Sequence, residues 1–302
     1  MSLTSLFKPK AVALAPTAAA PPGRGALRAL LRDGPAVLGL VLVGLLVLMA
    51  ALGPLIAPFP DQGAGAANVA DRNLAPSLTH LLGTDAMGRD ILSRILYGAR
   101  PALLVSVGVV GLAVLVGVPL GLVAGFRGGR LDEAIMRVSD MFLAFPPLLL
   151  AMVIVSLLGP SLWNAAIALV VSWWPWYARL VRGLAVSLRE RPFVEGARTL
   201  GLRDVTIMRR HILPNCSSPI LVQATTDIGT VLLAAGSLAF IGLGAQPPTP
   251  DWGLMVAEGR TYVFSQWWMS AFPGAAIFLA VLGFNLLGDG LRDALDPREV
   301  GR

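Results

Sequence analysis

Residues 141–178 read MFLAFPPLLLAMVIVSLLGPSLWNAAIALVVSWWPWYA, and none of these 38 residues is charged. About 18 apolar residues suffice to cross a bilayer as a helix, so this stretch is too long for one span. Gly159-Pro160-Ser161 lies near its middle, where a turn and a proline that stops a helix are expected. The stretch therefore predicts two membrane-spanning helices joined by a tight turn.

Other long apolar runs lie on both sides of this stretch. They occupy 34–60, 101–126, 261–288 and, interrupted only by Asp227, 212–250. The chain is 55% hydrophobic and 14% charged, with a mean hydropathy of +0.71, which is too apolar for a water-soluble domain of this length. We predict an all-α integral membrane protein of six transmembrane helices: about 36–58, about 101–125, two within 141–178, about 217–243 and about 267–288.

The basic residues predict the orientation. Residues 1–33 form an Ala/Pro-rich basic tail that leads into 34–60, and this run exceeds the about 7 to 15 apolar residues of a secretory signal core, so it is predicted as the first transmembrane helix. With the N-terminus in the cytoplasm, the inner segments hold nineteen basic residues and the outer segments five. By the positive-inside rule both ends are then cytoplasmic, including the tail 291–302.

The external segment 61–100 ends in an amphipathic pattern. Between Gly88 and Ala99, apolar residues recur at helical spacing opposite charged ones. The pattern predicts an interfacial helix, or alternatively a cap packed on the protein's own outer surface.

Several classes of function are disfavoured by what the sequence lacks. The arginines lie between apolar runs rather than on one soluble face, so no nucleic-acid partner is expected. Cys216, His80 and His211 offer no repeated metal-ligand spacing. The only lysines, Lys8 and Lys10, are not in a P-loop, and no His-Glu-x-x-His or Gly-x-Ser-x-Gly motif occurs. We expect no catalytic, cofactor-binding or metal-binding residue, and no enzyme activity in this chain.

The inner loop between the fourth and fifth predicted helices is the most informative segment. Residues 181–215 read VRGLAVSLRERPFVEGARTLGLRDVTIMRRHILPN. Apolar and charged residues alternate in a helical pattern around Glu195, and the pattern is broken at Gly201. Because glycine tolerates a positive φ, two short helices joined at Gly201 are predicted. A solvated basic hinge without a further role is the alternative.

The order of residues in this loop resembles the cytoplasmic signature loop of binding-protein-dependent ABC importer permeases. The positions that correspond to the family's motif are Glu195, Gly196, Ala197, Gly201, Leu213 and Pro214. The sequence departs from the motif at two positions, with Gly196 in place of Ala and His211 in place of Ile. Further stretches resemble the C-type permease subunit of the dipeptide, oligopeptide and nickel group, and together they cover roughly 80–297; they are Gly83–Arg94, Tyr177–Arg182, Pro247–Gly253 and Phe284–Asp293.

The resemblance implies a fold, a site and partners. The fold would be that of a type I ABC importer permease with both termini inside, and 101–290 would form a five-helix transport core. Its coupling loop, 181–215, would dock by Glu195 to Gly201 into a separate ATPase subunit, with Pro214 starting the return helix. The partners would be a second homologous permease, two ATPase subunits that bind ATP and Mg²⁺, an external solute-binding protein and the lipid bilayer of the bacterial inner membrane.

The resemblance leaves the transported substrate open. Di- or oligopeptides are the expected cargo, and nickel or a metal chelate is the alternative; an ion channel is a remote third possibility. Asp227 lies within an apolar run, where a charge is expensive. It is predicted either to line the translocation pathway or to be hydrogen-bonded to neighbouring polar groups such as Thr225 or Thr226.

Overall fold

The computed structural model describes residues 30–295, and the regular secondary structure of this part of the chain is helical, apart from one isolated bridge between Thr84 and Asp90. The predicted tails 1–33 and 291–302 lie largely outside the described residues. The helices are α1 (Gly34–Ile56), α2 (Pro60–Gly63), α3 (Ile91–Arg127), α4 (Gly129–Leu143), α5 (Pro147–Leu158), α6 (Leu162–Arg189), α7 (Pro192–Thr199), α8 (Asp204–Phe240), α9 (Trp252–Gly259) and α10 (Trp268–Leu295).

Four of these helices, α1, α3, α8 and α10, are long and apolar enough to cross a membrane. The pair α4 and α5 adds a fifth candidate if it counts as one span. The predicted turn at Gly159-Pro160-Ser161 is confirmed, because α5 ends at Leu158 and the Ser161 hydroxyl caps α6 by accepting the N–H of Asn164 at 3.0 Å. The Asn164 amide also donates to the carbonyl oxygens of Leu158 and Gly159, at 3.0 and 2.9 Å.

The third predicted span differs from the structure. The third span was expected to lie within the uncharged stretch that begins at residue 141, whereas α4 starts earlier, at Gly129, and meets α5 at an angle of 84°. The bend follows from Pro146-Pro147, since a proline lacks an N–H donor and disfavours helical backbone in the residue before it. Residues 141–143 therefore belong to the amphipathic helix α4 rather than to the apolar helix α5.

The predicted interfacial helix is also different in the structure. Residues 91–99 continue without a break into the predicted span at 101–125 and form the first part of α3. Ile91 and Ile95 are buried and pack in one cluster with Leu46 of α1 and Trp252 of α9. Of the two alternatives, the structure thus favours the segment packed on the protein itself. Its apolar side chains are covered by other helices of the same chain.

Three glycines spaced four residues apart join α3 closely to α6. A Cβ atom added to Gly121 would lie 2.2 Å from the carbonyl oxygen of Ala178, and one added to Gly117 or Gly125 would lie 2.4 or 2.5 Å from other carbonyl oxygens of α6. Small residues at this spacing permit such close helix packing. The three carbonyl groups follow one another along α6 in the same order, so α3 and α6 run parallel. The C-terminal ends of both helices therefore lie at the end of the molecule that carries α7, here called the loop end.

Candidate functional site

Residues 190–203 connect α6 to α8 through the short helix α7, which is closed by Gly201. Gly201 has φ +74°, and its N–H donates to the carbonyl oxygen of Arg198 at 2.9 Å. The next N–H, that of Leu202, donates to the carbonyl oxygen of Ala197 at 3.2 Å. These two bonds form a Schellman motif, in which a left-handed residue ends the helix and glycine is preferred. The predicted turn at Gly201 is confirmed, but the helix that follows it is the start of the long α8 rather than a second short helix.

One face of this loop is anchored to the helix bundle. Val194 and Ala197 of α7 are buried, and the Arg198 guanidinium lies over the ring of Phe126 at 5.1 Å. A cation over an aromatic ring is attracted by its electron-rich face. The loop side chains Ile207, Met208 and Ile212 belong to the same cluster, which also includes Val181 and Ala185 of α6. The loop therefore has a defined position relative to α3, α6 and α8.

The opposite face of the loop is open. Glu195 and Gly196 are exposed, and a Cβ atom on Gly196 would have nothing within 4 Å. Three apolar side chains share this exposure: Leu200 at 82%, Val205 at 53% and Phe193 at 43%. Our sequence reasoning missed these three residues. The signal in the sequence is the presence of large apolar residues in a basic loop.

Leu213 and Pro214 lie at the base of the loop. The chain enters α8 at Asp204, earlier than the predicted start near 217, and passes through a π-helical turn at Met208–Ile212 before Pro214. Pro214 thus does not begin the return helix but stands in the first turn of its α-helical part. A proline has no N–H to donate and crowds the preceding turn, which gives a physical reason for a wider turn there.

Charged side chains tie α6 to α4 near the loop. Arg182 donates through Nε and Nη2 to the two carboxylate oxygens of Asp132, at 2.5 and 2.8 Å. One turn earlier along α6, Arg179 is paired with Asp140. The pair of Arg182 and Asp132 is bidentate, which fixes the relative orientation of α4 and α6 as well as their distance.

Asp227 lies apart from the loop, in the middle of α8, and is 8% exposed. Its carboxylate accepts the Tyr177 hydroxyl at 2.6 Å and the Gln223 amide at 3.0 Å. The expected type of partner, a neighbouring polar group, is found, but the expected identity was wrong: Thr225 and Thr226 donate to carbonyl groups of their own helix. The bond to Tyr177 joins α8 to α6.

Comparison with known families identifies the chain. Residues 117–300 match the family described as the binding-protein-dependent transport system inner membrane component. The chain belongs to this family. Residues 21–76 match a second family, the N-terminal transmembrane domain of oligopeptide transport permease C.

Relatives support this membership, and a solved structure shares the fold. The dipeptide transport system permease protein DppC of Alkalihalophilus pseudofirmus is 45% identical over 92% of this chain and 90% of its own length. The probable D,D-dipeptide transport system permease protein DdpC of Escherichia coli K12 is 45% identical over 87% of each chain. The glutathione transport system permease protein GsiD of Escherichia coli O6 is 44% identical over 89% of this chain and 88% of its own. A chain of the inward-facing MetNI methionine ABC transporter, 19% identical, matches 67% of this chain and 96% of its own with a TM-score of 0.55, so the fold is shared.

Proposed function

We propose that this chain is the permease subunit of an ATP-driven importer of di- or oligopeptides in the bacterial inner membrane. It would cross the membrane six times, through α1, α3, the pair α4 and α5, α6, α8 and α10, with both termini in the cytoplasm. The excess of basic residues at the loop end supports this orientation. The chain itself would carry no catalytic residue and no cofactor, and separate ATPase subunits would bind ATP and Mg²⁺.

The observation that carries this proposal is the two-sided loop. One face, with Val194 and Ala197, is packed on α3 and α6, whereas Glu195, Leu200 and Val205 are exposed and not covered by the described residues. A short helix with an exposed apolar face suits a groove on another protein. In this proposal the groove is on an ATPase subunit, and closure of two such subunits moves the loop together with α6 and α8.

Motion of the loop would then reach the translocation pathway. The glycine contacts between α3 and α6, and the Tyr177 bond to Asp227 between α6 and α8, join three helices that meet at the loop. We place the pathway between this chain and a second, homologous permease, with alternating access produced by rocking of the two helix bundles. An external solute-binding protein would deliver the substrate. Whether Asp227 itself lines that pathway is tested by Asp227→Asn, which should change the rate or preference of uptake if it does.

Peptides are the substrate class that the relatives support. The three relatives compared above are named for dipeptide, D,D-dipeptide and glutathione transport, and none of them for nickel. The nickel alternative is therefore not supported. The ion-channel alternative predicts conductance from this chain alone, which planar bilayer recording would detect.

The test is uptake by the complete complex reconstituted in vesicles. Gly201→Asp, Glu195→Lys and Leu200→Lys should leave membrane insertion intact and abolish or strongly reduce ATP-dependent dipeptide uptake. Losing the burial of Leu200 alone removes about 2 kcal/mol, which is about a 30-fold loss of affinity for the ATPase subunit. The matched control is Leu78→Lys, because Leu78 is 98% exposed and lies outside the loop. Normal uptake by the loop variants at equal protein levels would contradict the proposal.

A further inference from the structure

Four polar side chains follow one another along one face of the apolar helix α8. They are Gln223, Thr226, Thr230 and Ser237, here called the polar stripe. Gln223, Thr230 and Ser237 are spaced seven residues apart, which is nearly two helical turns, so they lie one above another. Thr226 joins the same face, because residues three and four apart are neighbours on a helix surface. The stripe extends over about 21 Å of the helix.

The contacts of α8 with its neighbours leave the polar stripe open. Val231 and Leu238 are buried in one cluster with Tyr177 of α6. Gly229 lies against α10, because a Cβ atom added to it would be 3.3 Å from the Cβ atom of Phe284. Within residues 30–295 two members of the stripe are exposed, the first and the third, and the other two are half-buried. The stripe therefore lies on a side of α8 that neither α6 nor α10 covers.

The neighbouring helix α10 also exposes a polar side chain in this region. Asn285 is exposed and lies three residues before Gly288. Gly288 packs on the stripe, since a Cβ atom added to it would be 2.8 Å from Cγ2 of Thr226. Two helices that pack on each other thus both present polar groups here.

Lipid is an unfavourable neighbour for such a surface. The exposed faces of α1 and α3 carry large apolar side chains, for example Leu45 and Leu48 of α1 and Leu104 and Leu115 of α3. Polar side chains within a span almost always face protein or a water-filled cavity. The polar stripe is therefore expected to border water or another protein rather than acyl chains.

The hydrogen bonds of the polar stripe leave mainly oxygen acceptors available. Each hydroxyl donates to the carbonyl group four residues earlier, from Thr226 at 2.9 Å, Thr230 at 3.3 Å and Ser237 at 2.8 Å. A hydroxyl has one proton but two lone pairs, so these oxygens can still accept. The Gln223 amide donates to Asp227 at 3.0 Å, and within the described residues its oxygen accepts no hydrogen bond.

A row of acceptors suits a peptide better than a further helix. The main-chain N–H groups of a membrane helix are bonded within that helix, so a second span could offer only side-chain donors. An extended peptide carries unpaired main-chain N–H groups and, near neutral pH, a positively charged N-terminal ammonium group. These donors match the oxygens of the polar stripe, whereas the C-terminal carboxylate of the peptide does not.

We infer that the polar stripe lines the translocation pathway and binds the peptide in transit by its N–H groups, so that the N-terminal ammonium group is turned toward this chain. The C-terminal carboxylate then points away from α8. This role rests on the proposed function, which supplies both the pathway and the class of substrate.

Thr230→Val removes one acceptor of the stripe and keeps the shape of the side chain. Thr225→Val is the matched control, because Thr225 donates to the carbonyl oxygen of Leu221 in the same way, at 2.9 Å, but lies about 140° around the helix from Thr230. The measurement is the maximal rate of ATP-dependent dipeptide uptake by the complete transporter in vesicles. Loss of one hydrogen bond should lower the rate about threefold in Thr230→Val and leave the control unchanged, at equal protein levels. Equal rates in the two variants would overturn the inference.

Cysteine labelling tests the same surface independently of the uptake rate. In the complete transporter with the buried Cys216 replaced by Ala, Thr230→Cys and Thr225→Cys are treated with water-soluble methanethiosulfonates, one cationic and one anionic. The cationic reagent should modify Thr230→Cys at least about fivefold faster than Thr225→Cys, because only the first position borders water. It should also react there faster than the anionic reagent, and excess dipeptide supplied with the binding protein should slow the reaction.

Three labelling results would overturn the inference. Absence of reaction at Thr230→Cys would place the stripe against lipid or the second permease. Equal reaction at both positions, or faster reaction with the anionic reagent, would remove the preference for donors. Failure of the proposed function looks different, because the wild-type transporter would then take up no dipeptide at all.

Discussion

Replacing Gly201 by alanine should increase local unfolding at the C-terminal end of α7 without disturbing any side-chain contact. A Cβ atom at Gly201 would have nothing within 4 Å, so the whole effect comes from its backbone, which has φ +74°. Left-handed backbone conformation costs a residue with a Cβ atom about 1–2 kcal/mol. Gly196 provides the control, because it lies inside α7, has equally open space, and is helical. There the same substitution should stabilise the helix by about 0.5–1 kcal/mol.

The assay is amide hydrogen exchange of the loop in the complete transporter. A local cost of 1–2 kcal/mol raises the open population about 5- to 30-fold, so the amides of Gly201 and Leu202, which close the Schellman motif, should exchange faster by that factor in Gly201→Ala. Amides in the middle of α3 should be unaffected. In Gly196→Ala the loop amides should exchange at the wild-type rate or more slowly. Equal acceleration by both substitutions, or none by either, would refute the argument that backbone conformation at Gly201 holds the loop.

Three further predictions concern the helix bundle. Gly121→Leu should lower the melting temperature and the yield of folded protein far more than Gly108→Leu on the same helix, because a Cβ atom meets a carbonyl oxygen at 2.2 Å at the first site and nothing at the second. Tyr177→Phe removes one of the two donors to Asp227 and should cost about 0.6 kcal/mol, and at most about 1.7 kcal/mol, in thermal or denaturant unfolding, the mean and the maximum for hydrogen bonds between membrane helices. Asp251 lies outside the spans, and its burial raises the pKa of its carboxyl group. The carboxyl group therefore contributes most to stability when it is protonated, and this contribution is lost as the pH rises above the ordinary pKa of an aspartate. Asp251→Asn keeps a cap for the N–H of Leu254 and should therefore raise the melting temperature at pH 7.5 more than at pH 4, and an equal change at both pH values would contradict this assignment.

The long apolar runs were enough to locate the main helices, because a membrane span is a property of composition over about 20 residues. The turn at Gly159-Pro160-Ser161 and the turn at Gly201 were also predictable, because proline restricts the local backbone conformation and glycine permits conformations that other residues avoid. The bend between α4 and α5 was missed although Pro146-Pro147 signalled it. The absence of charge in residues 141–146 concealed the fact that 141–143 complete an amphipathic helix.

Contacts between distant residues could not be predicted in this way. Asp227 was expected to bond to adjacent threonines, but its partner Tyr177 is 50 residues away and is brought near by the packing of α6 on α8. The continuity of α3 through Pro101 has a similar origin, because α1 and α9 cover the apolar face on both sides of the proline. The open face of α7 was missed because spacing alone does not say which apolar residues remain uncovered.

In the proposed topology, where α4 and α5 form one span, the shortness of α5 has a consequence for the membrane around it. Its 12 residues rise only about 18 Å, whereas the hydrocarbon layer is about 30 Å thick, and α4 turns away by 84° and adds little depth. Irregular backbone is tolerated at that depth only where its polar groups are satisfied by protein or water. Asn164 meets this condition for the carbonyl groups of Leu158 and Gly159. In the proposed topology, a polar residue in an apolar stretch would thus let a span that is too short for the bilayer end inside it.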